Sequence, residues 1–483
     1  MKVLIAVLNR RGEPAAKTAE AMLKALAARG AETFGLASST RLEIKASLEQ
    51  LQLQEFKSPA LVGHVFSKIL AHDKPQPVML ENAALVFEGR AYKRSSLLSL
   101  DSIVGMLEGA EMLRAETFFG EVDGCFAFAI AKPEGLVVGR DPLGLHPLYY
   151  GENEHLCAVA SERKALWKVG IREAQSFPPG HIALIRRKGF EIKPVKPLKR
   201  HRVRRVGMRE AVEKLQGLLG QSALEKVSGL GEVAVAFSGG LDSSLTAWLA
   251  ERAGVRVHLV HVSLENQRET KHAEEAAEML NLPLHVYTYS ERDVEETLPK
   301  VLWTVECADA VKASIGIPVY WAAEKTAELG FRVLLAGQGA DELFGGYKRY
   351  VDTYLRLGGR SAHKAMQSDV LKLYETNFER DFKLCNFHNV ELRLPFATYQ
   401  LAEFALSLPL RLKICLKNDM LRKVVLRKTA QKFGLPPQIT NRPKKAVQYA
   451  TGVSKTLERL AKRESLPLNE YVQKIFSKVF PAG

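Results

Sequence analysis

Long apolar runs are missing from this chain of 483 residues. No stretch approaches the roughly 20 consecutive apolar residues of a membrane-crossing helix, so a membrane protein is not expected. Cysteine is scarce. The five present (Cys125, Cys157, Cys307, Cys385, Cys415) are odd in number, scattered, and never spaced as Cys-x-x-Cys. That argues against a disulfide framework and a zinc site and leaves small buried hydrophobes. The kinase-type phosphate loop, Gly-x-x-x-x-Gly-Lys-Ser/Thr, is absent as well. There is no internal repeat and no low-complexity tract. Near the amino terminus an apolar run from Val3 to Leu8 meets Asn9-Arg10-Arg11. It is too short for a signal peptide and no small-residue cleavage site follows. It reads as a first β-strand of a cytoplasmic protein.

Acidic residues are in deficit, with 54 Asp and Glu against 69 Lys and Arg, a net charge of +15. The densest basic run lies between Arg186 and Arg205. It is rich in proline and poor in aromatics, whereas single-strand binding interleaves stacking aromatics. It is read as a linker, and nucleic acid is not the expected partner. Hydrophobic content of 46% and charged content of 25% are those of a globular protein. The length suits two to four domains.

Two halves differ in pattern. Residues 1–185 show many short strand candidates (83–87, 125–131, 135–138, 148–150, 157–160, 181–185), separated by turn signals such as Asp123-Gly124 and Pro178-Pro179-Gly180, with one helix near 15–28. That predicts an α+β domain with antiparallel sheets. Residues 208–350 alternate strand and helix: strands at 233–237, 256–262, 284–287 and 332–336, and a helix near 271–280. That predicts α/β with a parallel sheet. Beyond 351 the chain reads mainly helical. The domains are set at 1–193, a basic linker at 194–207, and 208–483.

Residues 238–244 read Ser-Gly-Gly-Leu-Asp-Ser-Ser, directly after the apolar run Val233–Phe237. A strand, a glycine turn and a helix start form an anion-binding device. Gly239 and Gly240 let a phosphate approach the backbone, and the first helical turn aims N–H groups at it. Ser238, Ser243 and Ser244 add hydroxyls. Asp242 is the odd member, since a carboxylate repels phosphate unless a cation lies between. Mg²⁺ resolves the conflict. A second loop, Gly337-Gln338-Gly339-Ala340-Asp341-Glu342-Leu343-Phe344-Gly345-Gly346-Tyr347, follows strand 332–336. Ligands of parallel α/β sheets gather beyond the carboxyl ends of the strands. Asp242 and Asp341 are therefore expected to share one metal. Two further motifs are Asn441-Arg442-Pro443-Lys444-Lys445, whose cations can neutralise a phosphate, and Glu391-Leu392-Arg393-Leu394-Pro395-Phe396, where Glu391 and Arg393 either face a substrate or form a structural ion pair.

Together and in this order, these motifs resemble asparagine synthetase of the glutamine-dependent type, with archaeal members nearest. The amino-terminal half adds Gly124-Cys125-Phe126-Ala127-Phe128-Ala129, Gly139-Arg140-Asp141-Pro142-Leu143-Gly144 and Ala160-Ser161-Glu162-Arg163-Lys164. The heptad is similar to the loop of ATP pyrophosphatases, which split ATP between its α- and β-phosphates. The resemblance implies an N-terminal-nucleophile amidotransferase domain followed by a synthetase domain. It implies that Phe237, Val262, Ala336 and Gly337 line the nucleotide, that Asp242 and Asp341 hold Mg²⁺, and that Lys444, Asp341, Gln338, Glu391 and Arg393 serve catalysis. ATP and Mg²⁺ are the implied cofactors. The implied partners are a small carboxylate (aspartate, giving asparagine) and ammonia, with a homodimer and a separate ammonia-supplying protein both compatible with the chain.

The departures matter as much. The family's glutaminase uses an amino-terminal cysteine, and here position 2 is Lys2, with no cysteine before Cys125. Without a thiolate the nucleophile logic fails. The family's Asn-Gly oxyanion segment reads Glu88-Gly89-Arg90-Ala91-Tyr92-Lys93, and an acid repels an oxyanion. The arginine expected after Gly63-His64 is missing. Glutamine hydrolysis is expected to be lost. Many members carry glutamate at Gln338, although archaeal-type members often read Gly-Gln-Gly. The Pro-Phe-Leu-Asp corner reads Pro395-Phe396-Ala397-Thr398. Alternatives are a β-lactam-synthetase-like or RNA-modifying ligase and a non-catalytic scaffold.

Overall fold

The computed structural model describes residues 3–26, 30–109, 112–415, 422–443 and 451–481. The chain divides into two compact units. One comprises Met1–Leu198 with Asn386–Asn389, the other Lys199–Cys385 with Val390–Gly483.

The first unit is built on two antiparallel seven-stranded sheets. Strand Val3–Asn9 lies inside one of them, between strands Ala60–Phe66 and Leu156–Ala160. Side chains alternate across a strand. Val3, Ile5 and Val7 enter a core shared with helices Ala16–Leu26 and Arg163–Lys168, while Leu4, Ala6 and Leu8 enter a second core. A strand buried on both faces must be apolar throughout, which is why the opening run does not alternate with polar residues. The second core also takes Ala84 and Val86 from strand Ala83–Lys93 and Ala127, Ala129 and Ala131 from strand Asp123–Lys132, both in the other sheet. These small side chains face the sheet-to-sheet core. The large ones, Phe87, Phe126 and Phe128, point the other way onto helices Leu100–Leu107 and Met112–Glu121. The order is helix, sheet, sheet, helix, an α+β sandwich as expected. Strands Thr33–Ala37 and Ala60–Phe66 and these two helices go beyond the sequence expectation.

The second unit carries a five-stranded parallel sheet. Its order is Leu284–Tyr289, Arg256–Leu264, Glu232–Ala236, Val333–Leu335, Glu391–Arg393. The first three strands in sequence step to one side, and the fourth returns beside the first. The strand order therefore reverses between Glu232–Ala236 and Val333–Leu335, and a crevice opens beyond their carboxyl ends. The expected α/β character holds. The chain beyond 351 is mainly helical, except that Glu391–Arg393 joins the sheet edge. Among the described residues no helix is long and apolar enough to cross a membrane.

Candidate active site

Both glycine-rich loops leave the two strands that flank the reversal. The first begins as the Phe237 amide donates to the Val260 carbonyl (2.8 Å). Beneath it the buried His261 ring bonds the Phe237 carbonyl through Nδ1 (2.9 Å), and burial lowers its pKa. Gly239 has φ +66°, and a Cβ there would lie 2.6 Å from the His272 carbonyl. Only glycine passes. Gly240 then caps helix Leu241–Arg252, whose first turn holds Asp242 and presents backbone N–H groups to the crevice.

The serines shape this loop rather than simply lining it. The Ser238 amide donates to Ser243 Oγ (3.2 Å), the Gly240 amide to Ser238 Oγ (3.4 Å), and the Ser243 hydroxyl to the Gly240 carbonyl (3.3 Å). Ser244 is fully buried on the inner side of the helix. Of the three hydroxyls expected at a phosphate, Ser244 is therefore turned away, because its helical position faces the core.

The second loop packs directly on the first. A Cβ on Gly337 would lie 2.9 Å from the Asp242 Cβ, so glycine is what allows the contact. Gln338 is half-buried and Gly339 turns with φ +91° into a short helix, Ala340–Phe344, that carries Asp341 and Glu342. Asp242 and Asp341 are brought together, around a cation that the sequence did not announce. Lys423 Nζ lies 2.5 Å from Asp242 Oδ2 and 2.6 Å from Asp341 Oδ1, with Lys423 itself only 1% exposed. Gly346 closes the turn behind them, since a Cβ there would fall 1.8 Å from Asp341 Oδ1. Its amide donates to the Asp341 carbonyl (2.7 Å) and its carbonyl accepts from Arg422 Nε (2.8 Å).

Glu342 points inward. It accepts from the Tyr347 hydroxyl (2.6 Å) and Asn377 Nδ2 (2.8 Å), and burial, with Asp341 adding to it, raises its pKa. Arg442 was expected at the phosphate. Its Nη1 instead donates to the Gly239 carbonyl (3.0 Å) and the His272 carbonyl (2.8 Å), clamping the first loop from behind. Lys444 lies outside the described residues. Phe237, Val262 and Ala336 are buried toward the carboxyl ends of three neighbouring strands.

Glu391 and Arg393 are not brought to this crevice. Arg393 Nε donates to Glu391 Oε1 (2.6 Å), and its Nη1 donates to the carbonyls of Lys226 (2.8 Å) and Ser228 (3.2 Å) at the end of helix Met208–Val227. Of the two readings offered by the sequence, this is the structural ion pair. The carbonyl groups of a helix end attract a cation, and here they take the guanidinium.

In the first unit, the segment expected to replace the oxyanion donor turns its acid inward onto a histidine. Glu88 is 1% exposed and bonds His64 Nε2, with His146 Nε2 at 3.9 Å from its other oxygen. Arg90 is held bidentately by Asp73 (2.5 and 3.0 Å). Phe66 stands two residues after His64, a ring where a cation was expected.

Comparison with known proteins adds two family matches. A model described as asparagine synthase matches residues 214–360 and 356–477, and a glutamine amidotransferase domain matches residues 66–168. A Methanocaldococcus jannaschii protein, provisionally named asparagine synthetase [glutamine-hydrolyzing] 1, is 35% identical over 74% of this chain and 75% of its own length. Asparagine synthetase B [glutamine-hydrolyzing] of Escherichia coli (strain K12) is 26% identical over 70% of this chain and 62% of its own length. Asparagine synthetase [glutamine-hydrolyzing] 2 of Arabidopsis thaliana is likewise 26% identical, over 70% of this chain and 60% of its length.

Proposed function

The chain belongs to the asparagine synthetase family of ATP-dependent amide ligases, and from that premise we propose that it adenylates aspartate and transfers ammonia to it, releasing AMP and pyrophosphate. The observation that carries the reading is the convergence of Asp242 and Asp341 on one cation at the amino end of helix Leu241–Arg252.

The triphosphate lies against the N–H groups of the 238–244 turn. The aspartate side-chain carboxylate attacks the α-phosphorus, forming the acyl-adenylate while the bond to the β-phosphate breaks. Lys423, held between two carboxylates, offers its ammonium protons to the departing pyrophosphate. Arg442 keeps the Gly239 carbonyl pinned, so the turn does not rearrange as charge moves. Gln338 cannot take a proton at neutral pH and orients the substrate by hydrogen bonding. Lys444 is assigned to the charge on the α-phosphate. Ammonia then attacks the acyl carbon, and AMP leaves. The donor set fits Mg²⁺, which takes one or two protein carboxylates alongside substrate phosphates. Asp242 and Asp341 would hold it, and it would supply further neutralisation of pyrophosphate.

The nitrogen is free ammonia or ammonia delivered by another protein. The buried Glu88–His64 contact supports loss of the glutaminase, because it sets an acid where an amide donor is needed. The test is pyrophosphate release with aspartate and either ammonium or glutamine. Ammonium should support turnover, more strongly at alkaline pH where neutral NH₃ accumulates, and glutamine should not. Glutamate formed from glutamine above background would overturn the glutaminase reading. No pyrophosphate with aspartate and ammonium would overturn the ligase reading.

A further inference from the structure

The basic run that reads as a linker in sequence is, from Lys199 to Val206, a strap fastened to the second unit. The Gln367 side-chain amide donates to the His201 carbonyl (2.7 Å). The Arg204 amide donates to the Ser407 carbonyl (2.9 Å), and Arg411 donates to the Val206 carbonyl (3.2 Å). Each of these three hydrogen bonds uses a backbone atom of the strap. The side chains are left over. Lys199, Arg200, Arg202, Arg204 and Arg205 are all exposed, and none of the five makes an ion pair among the described residues. Other exposed cations of this unit do find acids: Arg209 with Glu213 (3.0 Å), Arg292 with Glu296 (2.8 Å) and Lys474 with Glu464 (2.5 Å). The acid beside the strap, Glu403, faces His201 at 3.8 Å rather than one of the five.

Like charges crowded on a fixed backbone cannot spread, so the fastened strap concentrates positive potential that a loose linker would dilute. We propose that this strap is a docking surface for the phosphodiester backbone of a nucleic acid. Arginine outnumbers lysine four to one among the exposed cations, and the guanidinium fork pairs with phosphate in two parallel hydrogen bonds. No Phe, Tyr or Trp lies between Lys199 and Gly207, so bases find no stacking platform. Recognition is therefore of the backbone and not of sequence. An anionic membrane suits the strap less well, because a surface-lying membrane anchor is an amphipathic helix and this segment is not helical.

The test is fluorescence anisotropy of the full chain with a labelled RNA duplex and a labelled single-stranded RNA of mixed sequence, titrated at several salt concentrations. Binding should weaken steeply with salt. The logarithmic slope is about −0.7 per phosphate contact on single strands, so use of all five cations approaches about −3.5 on the single-stranded RNA. The variant with Lys199, Arg200, Arg202, Arg204 and Arg205 all changed to Ala should lose at least about tenfold in affinity and most of the slope. Its circular dichroism and ligase activity should be unchanged. A control variant with Lys17, Lys57, Lys168, Arg172 and Lys462 changed to Ala, all exposed, removes the same charge elsewhere and should bind nearly as the parent does. Three results would overturn the proposal: no RNA binding by the parent at low salt, equal losses in the two variants, or strap-dependent binding to phosphatidylserine vesicles without binding to RNA.

Discussion

Lys423→Met gives the sharpest test of the site. Methionine keeps an unbranched stem of similar bulk and removes the ammonium. Two carboxylates, Asp242 and Asp341, each 15% exposed, are then left facing one another without the cation that lies 2.5 and 2.6 Å from them. Removing one partner of a buried ion pair destabilises by about 3–5 kcal/mol, because the remaining charge is stranded. For a large domain that is a fall in Tm of roughly 2 °C per kcal/mol, or about 6–10 °C. Differential scanning calorimetry in a chelator should find this loss in the transition of the second unit. Excess MgCl₂ should restore part of it, since a divalent ion replaces the missing charge. Lys423→Met combined with Asp341→Asn should be less destabilised than Lys423→Met alone, with a coupling of about 1 kcal/mol or more, because neutralising one carboxylate removes the repulsion. If Lys423→Met melts with the parent in chelator, or if the two substitutions simply add, the carboxylates are not held together by this lysine and the cation-centred account of the site fails.

Arg442→Ala releases the Gly239 and His272 carbonyls, each held by Nη1. Hydrogen bonds from a charged donor contribute about 1.5–3 kcal/mol, so steady-state kinetics should show KM for ATP raised about tenfold or more, with kcat changed less. Asp141 is fully buried and accepts from the amides of Leu143, Leu145 and His146, yet burial lifts its pKa to about 6. Between about pH 4 and 6 the folded chain holds a proton that the unfolded chain has released, so stability falls as pH rises through that window. Asp141→Asn should flatten that part of the Tm–pH profile of the first unit. Lys413 is the opposite case: burial alone lowers its pKa to about 7. Between about pH 7 and 10 the unfolded chain holds the extra proton, so stability rises with pH. Lys413→Met should raise Tm at pH 7 and remove that slope, and an unchanged Tm would refute a desolvated lysine.

The heptad was legible because its chemistry is local. Seven consecutive residues between a strand and a helix contain the turn, the donors and the odd carboxylate. The pairing of Asp242 with Asp341 was legible for a different reason. A parallel sheet delivers successive loops to one end, so two glycine-rich loops after two buried strands meet by topology alone. Lys423 had neither advantage. It stands 181 positions from Asp242, inside a basic stretch with Arg422, Arg427 and Lys428, and nothing in its spacing separates a buried cation from solvated ones. Arg442 was visible as a cation, but its target was not. The direction of a side chain depends on which carbonyls the neighbouring loop leaves exposed, and those are set by the φ of Gly239. Glu391 and Arg393 show the same limit from the other side, since an ion pair two residues apart on one strand face reads identically whether it faces a substrate or a helix end.

The charge logic of the two units points the same way. In the second unit Asp242 and Asp341 both meet Lys423 at the mouth of the crevice. On the proposed reaction, two carboxylates beside a phosphate site favour a nucleotide that brings its own divalent cation. In the first unit Glu88 is met by His64 from the facing sheet, and both side chains are buried. The two sites therefore separate in their expected outcomes: substitutions at Asp242 and Asp341 should change how the chain responds to Mg-ATP, whereas Glu88→Gln, which removes a buried acid, should change stability without creating or removing a response to glutamine.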